Sequence, residues 1–224
     1  CDELYNSAEV AHDTRWDLMF PSWAETKEYL RKVVSEASRN VSESPLTEDG
    51  TYFLQLVTAH TDMHVEALIY TRQTLGYEPP GLIKRMRVSS SNELVQRCDT
   101  RIPGGIFNLG ANPSGQFVFD NEKWAHSVEV KPFAISTTAT SNGEFLKFVE
   151  AGGYHDPQWW SQEGWEWKNR EGAEAPVYWH KDAETGWIIR KFNQGEPLEM
   201  NLPIIHVNWY EANAYCKWAK RRLP

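Results

Sequence analysis

Between residues 22 and 41 apolar side chains return every three to four positions, at Trp23, Leu30, Val33, Val34, Ala37 and Val41. This is the period of a helix with one apolar face, predicted over Ser22 to Asn40. Ser22 with Glu25 three residues on has the form of a capping box, and Pro21 stops a helix running in from upstream. The stretch from Ser44-Pro45 to Asp49-Gly50 is a turn. A second helix is predicted from about Thr51 to Leu75, closed by Gly76 as its C-cap. Its stripe of Phe53, Leu56, Val57, His60, His64, Ala67, Leu68, Thr71 and Leu75 is expected to face a core. Two helices cannot enclose a core by themselves, so the rest of a bundle is expected before Cys1, in the segment that follows, or in both.

The pattern changes after Gly76. Residues 77 to 92 are Pro-rich, then basic, then Ser-rich (Glu78-Pro79-Pro80-Gly81, Ser89-Ser90-Ser91), the composition of a linker. Beyond it short strand-like pieces, Gly105 to Leu109, Phe117 to Phe119 and Ser127 to Ile135, alternate with Gly, Asn and Asp turns. Two helices are expected in this region. One runs over about Asn142 to Glu150, starts with a capping box of Ser141 and Glu144, and buries Phe145, Phe148 and Val149. The other runs over about Trp209 to Lys220, with Asn208 as N-cap and Ala212, Tyr215, Cys216 and Ala219 on one face. The chain is thus α+β, with a helical domain over 1–76, a linker over 77–98 and an irregular α+β domain over 99–224.

A chain of 224 residues with 41% hydrophobic content can bury two modest cores. The tryptophans crowd into the stretch from Trp124 to Trp218, which supports the boundary. A net charge of -8 argues against a face for nucleic-acid phosphates, and the densest basic run, Lys84-Arg85-Met86-Arg87, is a short piece of the linker. No stretch of about 18 apolar residues is present, so no membrane partner is expected. Cys1, Cys98 and Cys216 are too few and too scattered for a disulfide framework or a zinc knuckle, and a reducing, cytoplasmic compartment is the default expectation.

His60 and His64 stand four residues apart on one helix, where side chains project from the same face one turn apart. Two imidazoles so placed can ligate one metal ion; alternatively each is a buried histidine bonded to a core partner. Glu66 falls on about the opposite face from His64, which keeps it from the same ion and suits an outward pair with an arginine. Imidazoles without thiolates suit iron, copper or zinc, and few protein ligands leave positions open for substrate and oxygen. Trp159, Trp160, Trp165 and Trp167 are read as core, with a cation–π box for a quaternary ammonium as the alternative.

The run His60-Thr61-Asp62-Met63-His64-Val65-Glu66 resembles the HxxxHxE signature of DinB-like domains fused to formylglycine-generating-enzyme-like domains. The second half resembles the latter at Ile102-Pro103-Gly104-Gly105, Phe119-Asp120-Asn121-Glu122, Asn142-Gly143-Glu144-Phe145, Gly152-Gly153-Tyr154, Gly164-Trp165 and Pro203-Ile204-Ile205-His206-Val207. The segment from Ala212 to Arg221-Arg222-Leu223-Pro224 fits the same pattern. In this order across nearly the whole chain, the motifs resemble the ergothioneine-biosynthesis sulfoxide synthases.

That resemblance implies an N-terminal DinB-like helical bundle followed by a C-type-lectin-like α+β domain. It implies a non-haem iron(II) oxidoreductase that uses O2 to join a thiol, cysteine or gamma-glutamylcysteine, to C2 of the imidazole of N-trimethylhistidine (hercynine), giving a sulfoxide. His60 and His64 match two of three iron ligands. His12, in a polar stretch without a helical stripe, is a poor match for the third, which is expected outside the chain. The proton-donating tyrosine is expected beyond Pro224. Arg15 matches an arginine that holds the thiol substrate's carboxylate, and a guanidinium fork suits that group; a surface arginine is the plain alternative. A relative making ovothiol or using a selenium donor remains open. So does a formylglycine-generating oxidase of sulfatase cysteines, although Cys98 and Cys216 do not form the redox pair it needs.

Overall fold

In a computed structural model the described residues are 10–43, 47–81, 98–113 and 117–224, with the side chains of His12 and Trp16 left out. Cys1, the Ser44-Pro45 turn and most of the expected linker, including Lys84 to Arg87 and Ser89 to Ser91, lie outside them, as does the side chain of His12. The chain divides into two compact units, Cys1–Thr58 and Ala59–Pro224.

The first unit holds a short 3-10 helix, His12–Asp17, then helix α1, Trp23–Glu43, and the first part of helix α2, Glu48–Leu75. The capping box of α1 is made: the Ser22 backbone N–H and hydroxyl both donate to Glu25 Oε2, and the Glu25 N–H returns a bond to Ser22 Oγ. These bonds favour the charged form and lower the Glu25 carboxyl below its ordinary range. Helix α2 ends on Gly76 at φ 66°, where the Gly76 N–H reaches Gln73 O and the Tyr77 N–H reaches Arg72 O. That is a Schellman cap, for which a residue without a Cβ is preferred.

The expected inward stripe is not buried. Phe53 is 62% exposed, Val57 54%, Leu68 66% and Leu75 57%, and His60 and His64 are exposed with them. Helical periodicity states which face is apolar and is silent on what covers it; among the described residues this face stays open. The α2 side chain that is buried is Gln73, on a different face.

The second unit holds three small antiparallel sheets and a dense aromatic core, to which the three-stranded sheet contributes Trp179 and Ile189. β1, Asp99–Ile102, pairs with β4, Phe133–Ser136; β2, Gly105–Leu109, pairs with β3, His126–Val130. The stretch predicted as one strand over Ser127 to Ile135 is therefore two strands in different sheets. It breaks at Lys131-Pro132, since proline supplies no ladder N–H. Phe117 to Phe119 is not a strand; Phe119 instead precedes a one-turn 3-10 helix, Asp120–Glu122. β5, Trp179–Asp182, β6, Gly186–Lys191, and β7, Gln194–Pro197, form a meander absent from the sequence expectation.

Helix α3, Asn142–Glu150, has the predicted capping box and buries Phe145, Phe148 and Val149 as expected. Helix α4, Gln162–Glu171, was not anticipated, though Ser161 caps its start and Gly172, at φ 62°, its end. Helix α5, Trp209–Trp218, begins at Asn208 as predicted, but its buried residues are Glu211, Ala214 and Tyr215. Of the residues expected on one face, Tyr215 is buried and Ala212, Cys216 and Ala219 are half-buried, the last two packed against the core. The core joins α3, α5 and the meander: Phe145 stacks on Tyr215 at 5.2 Å and meets Trp179 edge-on at 6.2 Å. Trp160 is buried, and Trp159, Trp165 and Trp167 pack around the cluster, which places these tryptophans in the core.

Candidate metal and substrate site

The two histidines predicted as ligands converge. Their Nε2 atoms are 2.9 Å apart, and the rings meet edge to face with centroids at 4.6 Å. At about 2.1 Å per metal–nitrogen bond, two ligands at right angles on one ion stand about 3.0 Å apart, and two at the tetrahedral angle about 3.4 Å apart. The observed pair thus suits adjacent positions of an octahedral ion; without one, the same distance lets one neutral imidazole donate to the other. Among the described residues no group of three or more His, Cys, Asp and Glu side chains gathers to complete such a site. Glu66 is exposed.

Arg15 lies in the 3-10 helix of the first unit, half-buried, with Nη2 donating to Val10 O at 3.4 Å. The histidines belong to the second unit.

The second unit also encloses polar groups that sequence reasoning passed over. Tyr154, fully buried, donates from Oη to Glu211 Oε1 at 2.5 Å, and the Asn208 N–H donates to Glu211 Oε2 at 2.8 Å. Burial raises the Glu211 carboxyl above its ordinary range against the lowering effect of those bonds. Burial and the neighbouring Glu211 charge push the Tyr154 phenol far up, so it remains a donor. Beside this pair Trp167, Ala173, Val177, Asn208 and His206 line a cavity of about 470 Å³. His206 sits at φ 61°, and its ring meets Tyr178 edge-on at 4.9 Å. Burial and Arg190 hold it below the usual histidine range. The capping signature of Asn208 and Glu211 is present in the sequence, but nothing local marks Tyr154 as its partner 57 residues away.

Residues 87–224 match the sulfatase-modifying factor enzyme 1-like domain, and the chain belongs to that family. Over its whole length it is similar to a hercynine oxygenase of Mycolicibacterium smegmatis, 30% identical over 224 residues, covering 100% of this chain and 51% of that protein. A hercynine oxygenase of Mycobacterium tuberculosis is 31% identical over 223 residues, covering 99% of this chain and 51% of that protein. A formylglycine-generating enzyme of Streptomyces coelicolor is 28% identical over 157 residues, covering 57% of this chain and 44% of that protein. The chain spans about half the length of the hercynine oxygenases it matches. No helix among the described residues is long and apolar enough to cross a membrane.

Proposed function

We propose that this chain is part of a non-haem iron(II), O2-dependent sulfoxide synthase that joins a cysteine-type thiol to the imidazole C2 of N-trimethylhistidine. The observation that carries the reading is the reach of the similarity. Proteins named hercynine oxygenase match the helix with His60 and His64 as well as the domain after it, whereas the formylglycine-generating enzyme covers 57% of the chain. The 2.9 Å convergence of the two Nε2 atoms supports the same reading, because two imidazoles suit an iron ion and leave positions on it open for substrate and oxygen. The helical domain over 1–76, the linker over 77–98 and the cytoplasmic location belong to this proposal.

His60 and His64 would hold the iron through Nε2. Iron(II) held there would supply one-electron chemistry with O2. Arg15 is the residue proposed for the carboxylate of the thiol substrate, because a guanidinium suits that group. Overall, the thiol and the ring C–H each give up one hydrogen, one oxygen atom of O2 ends on sulfur, and the other leaves as water.

The test is metal analysis and product mass in the full-length protein. About one iron per chain, and a product heavier than the joined substrates by one oxygen atom, are expected when O2 is supplied. Iron-free protein with full activity would refute the reading.

A further inference from the structure

The C-terminal end of α2 is fastened to the β6–β7 hairpin by a matched set of bonds. The Gln73 side chain behaves as a peptide group: Nε2 donates to Arg190 O at 3.0 Å, and Oε1 accepts from the Phe192 N–H at 2.6 Å. Arg190 reciprocates, with Nη1 donating to Gln73 O at 2.7 Å and Nη2 reaching Thr74 O at 3.4 Å. Its guanidinium thus supplies a cation and donors to the last carbonyls of a helix, where the dipole is negative. Nη1 also donates to Phe192 O at 2.7 Å, and the guanidinium lies over the Tyr178 ring at 4.4 Å, which holds its plane. The Phe192 N–H is aimed at Gln73 from the two-residue turn of the hairpin, where Phe192 takes φ 56°, a conformation that favours glycine.

We infer that Gln73 and Arg190 are positioning residues: they lock the helix that carries His60 and His64 onto the domain built by residues 99–224. The compact unit Ala59–Pro224 takes in the helix from Ala59 onward, in keeping with such a lock. The histidines stand 9 and 13 residues before Gln73 on one unbroken helix, about 13 and 20 Å away at 1.5 Å per residue. A tilt of about 10° at the latch would displace them by about 2 to 3 Å. Misplacement of about 1 Å can cost about a hundredfold in rate. The positioning role rests on the reading of His60 and His64 as iron ligands; the latch itself does not.

The experiment compares full-length Gln73→Leu, Arg190→Met and the milder Arg190→Lys with wild type. It measures amide hydrogen exchange over residues 70–77, iron(II) affinity, and kcat and KM. Phe192→Gly, which keeps the N–H and relaxes the turn, is the control. We expect exchange in the latch variants to rise at least tenfold and kcat to fall at least tenfold with iron affinity unchanged. Phe192→Gly should keep wild-type values, and Arg190→Lys should restore little because it lacks the fork. Wild-type exchange in Gln73→Leu and Arg190→Met would overturn the latch. Fast exchange with unaltered kcat would overturn the positioning role. Failure of the functional reading is seen separately, as wild-type protein that binds no iron through His60 and His64; the exchange data then decide the latch alone.

Discussion

Tyr154 Oη donates to Glu211 Oε1 at 2.5 Å, tying the loop after α3 to the first turn of α5 inside the aromatic core. Removing the phenol oxygen leaves a buried carboxylate short of a donor. Tyr154→Phe is therefore expected to cost about 1.5 to 3 kcal/mol, the range for a hydrogen bond to a charged group. Urea unfolding checks this; a variant as stable as wild type would show that Glu211 is satisfied without Tyr154.

The same carboxyl gives stability a pH dependence. Burial raises its folded value above the ordinary range, so the folded state holds the proton more tightly than the unfolded chain. Its contribution is full below the ordinary carboxylate value, about 4.3, and is lost as pH rises through the raised value. Glu211→Gln should flatten that part of the curve when unfolding free energy is followed upward from about pH 4. Identical slopes in the two proteins would sink the assignment.

Gly153 is needed for space. A Cβ there would run into the ring of Phe148, which is fully buried and cannot swing aside. Gly153→Ala should destabilise the second unit by about 1 to 3 kcal/mol, the cost of overpacking. A melting temperature equal to that of wild type would contradict this packing.

His60→Ala and His64→Ala should each remove iron and activity while leaving the fold intact. Both side chains are exposed and carry little of the packing. Circular dichroism should overlay that of wild type while iron content drops; full iron loading in either variant would end the ligand assignment.

Arg15→Ala is expected to raise KM for the thiol about tenfold or more, with little change for the imidazole substrate, since a charged hydrogen bond is worth about 1.5 to 3 kcal/mol. Steady-state kinetics with each substrate varied in turn decides it. Equal changes for both would make Arg15 a structural residue.

Features that close within a few residues were legible in the sequence. The capping boxes at Ser22 and Ser141, the Gly76 cap and the i, i+4 pairing of His60 with His64 are fixed by backbone geometry over three or four positions, and the structure repeats them. Four strands went unread: β1, only four residues long, and the three of the meander, because Trp179 to Pro197 lacks a clean alternation and its edges are set by partners along the chain. Helix α4 was hidden by a tryptophan-rich, weakly helical composition, despite a capping serine and a closing glycine. The inward face assigned to α2 followed from periodicity, which ranks the faces of a helix without supplying a neighbour. Tyr154 with Glu211, and Gln73 with Arg190, are separated by 57 and 117 residues. Only tertiary folding could join them, because a buried polar group takes whatever partner the chain's return path brings within hydrogen-bond reach.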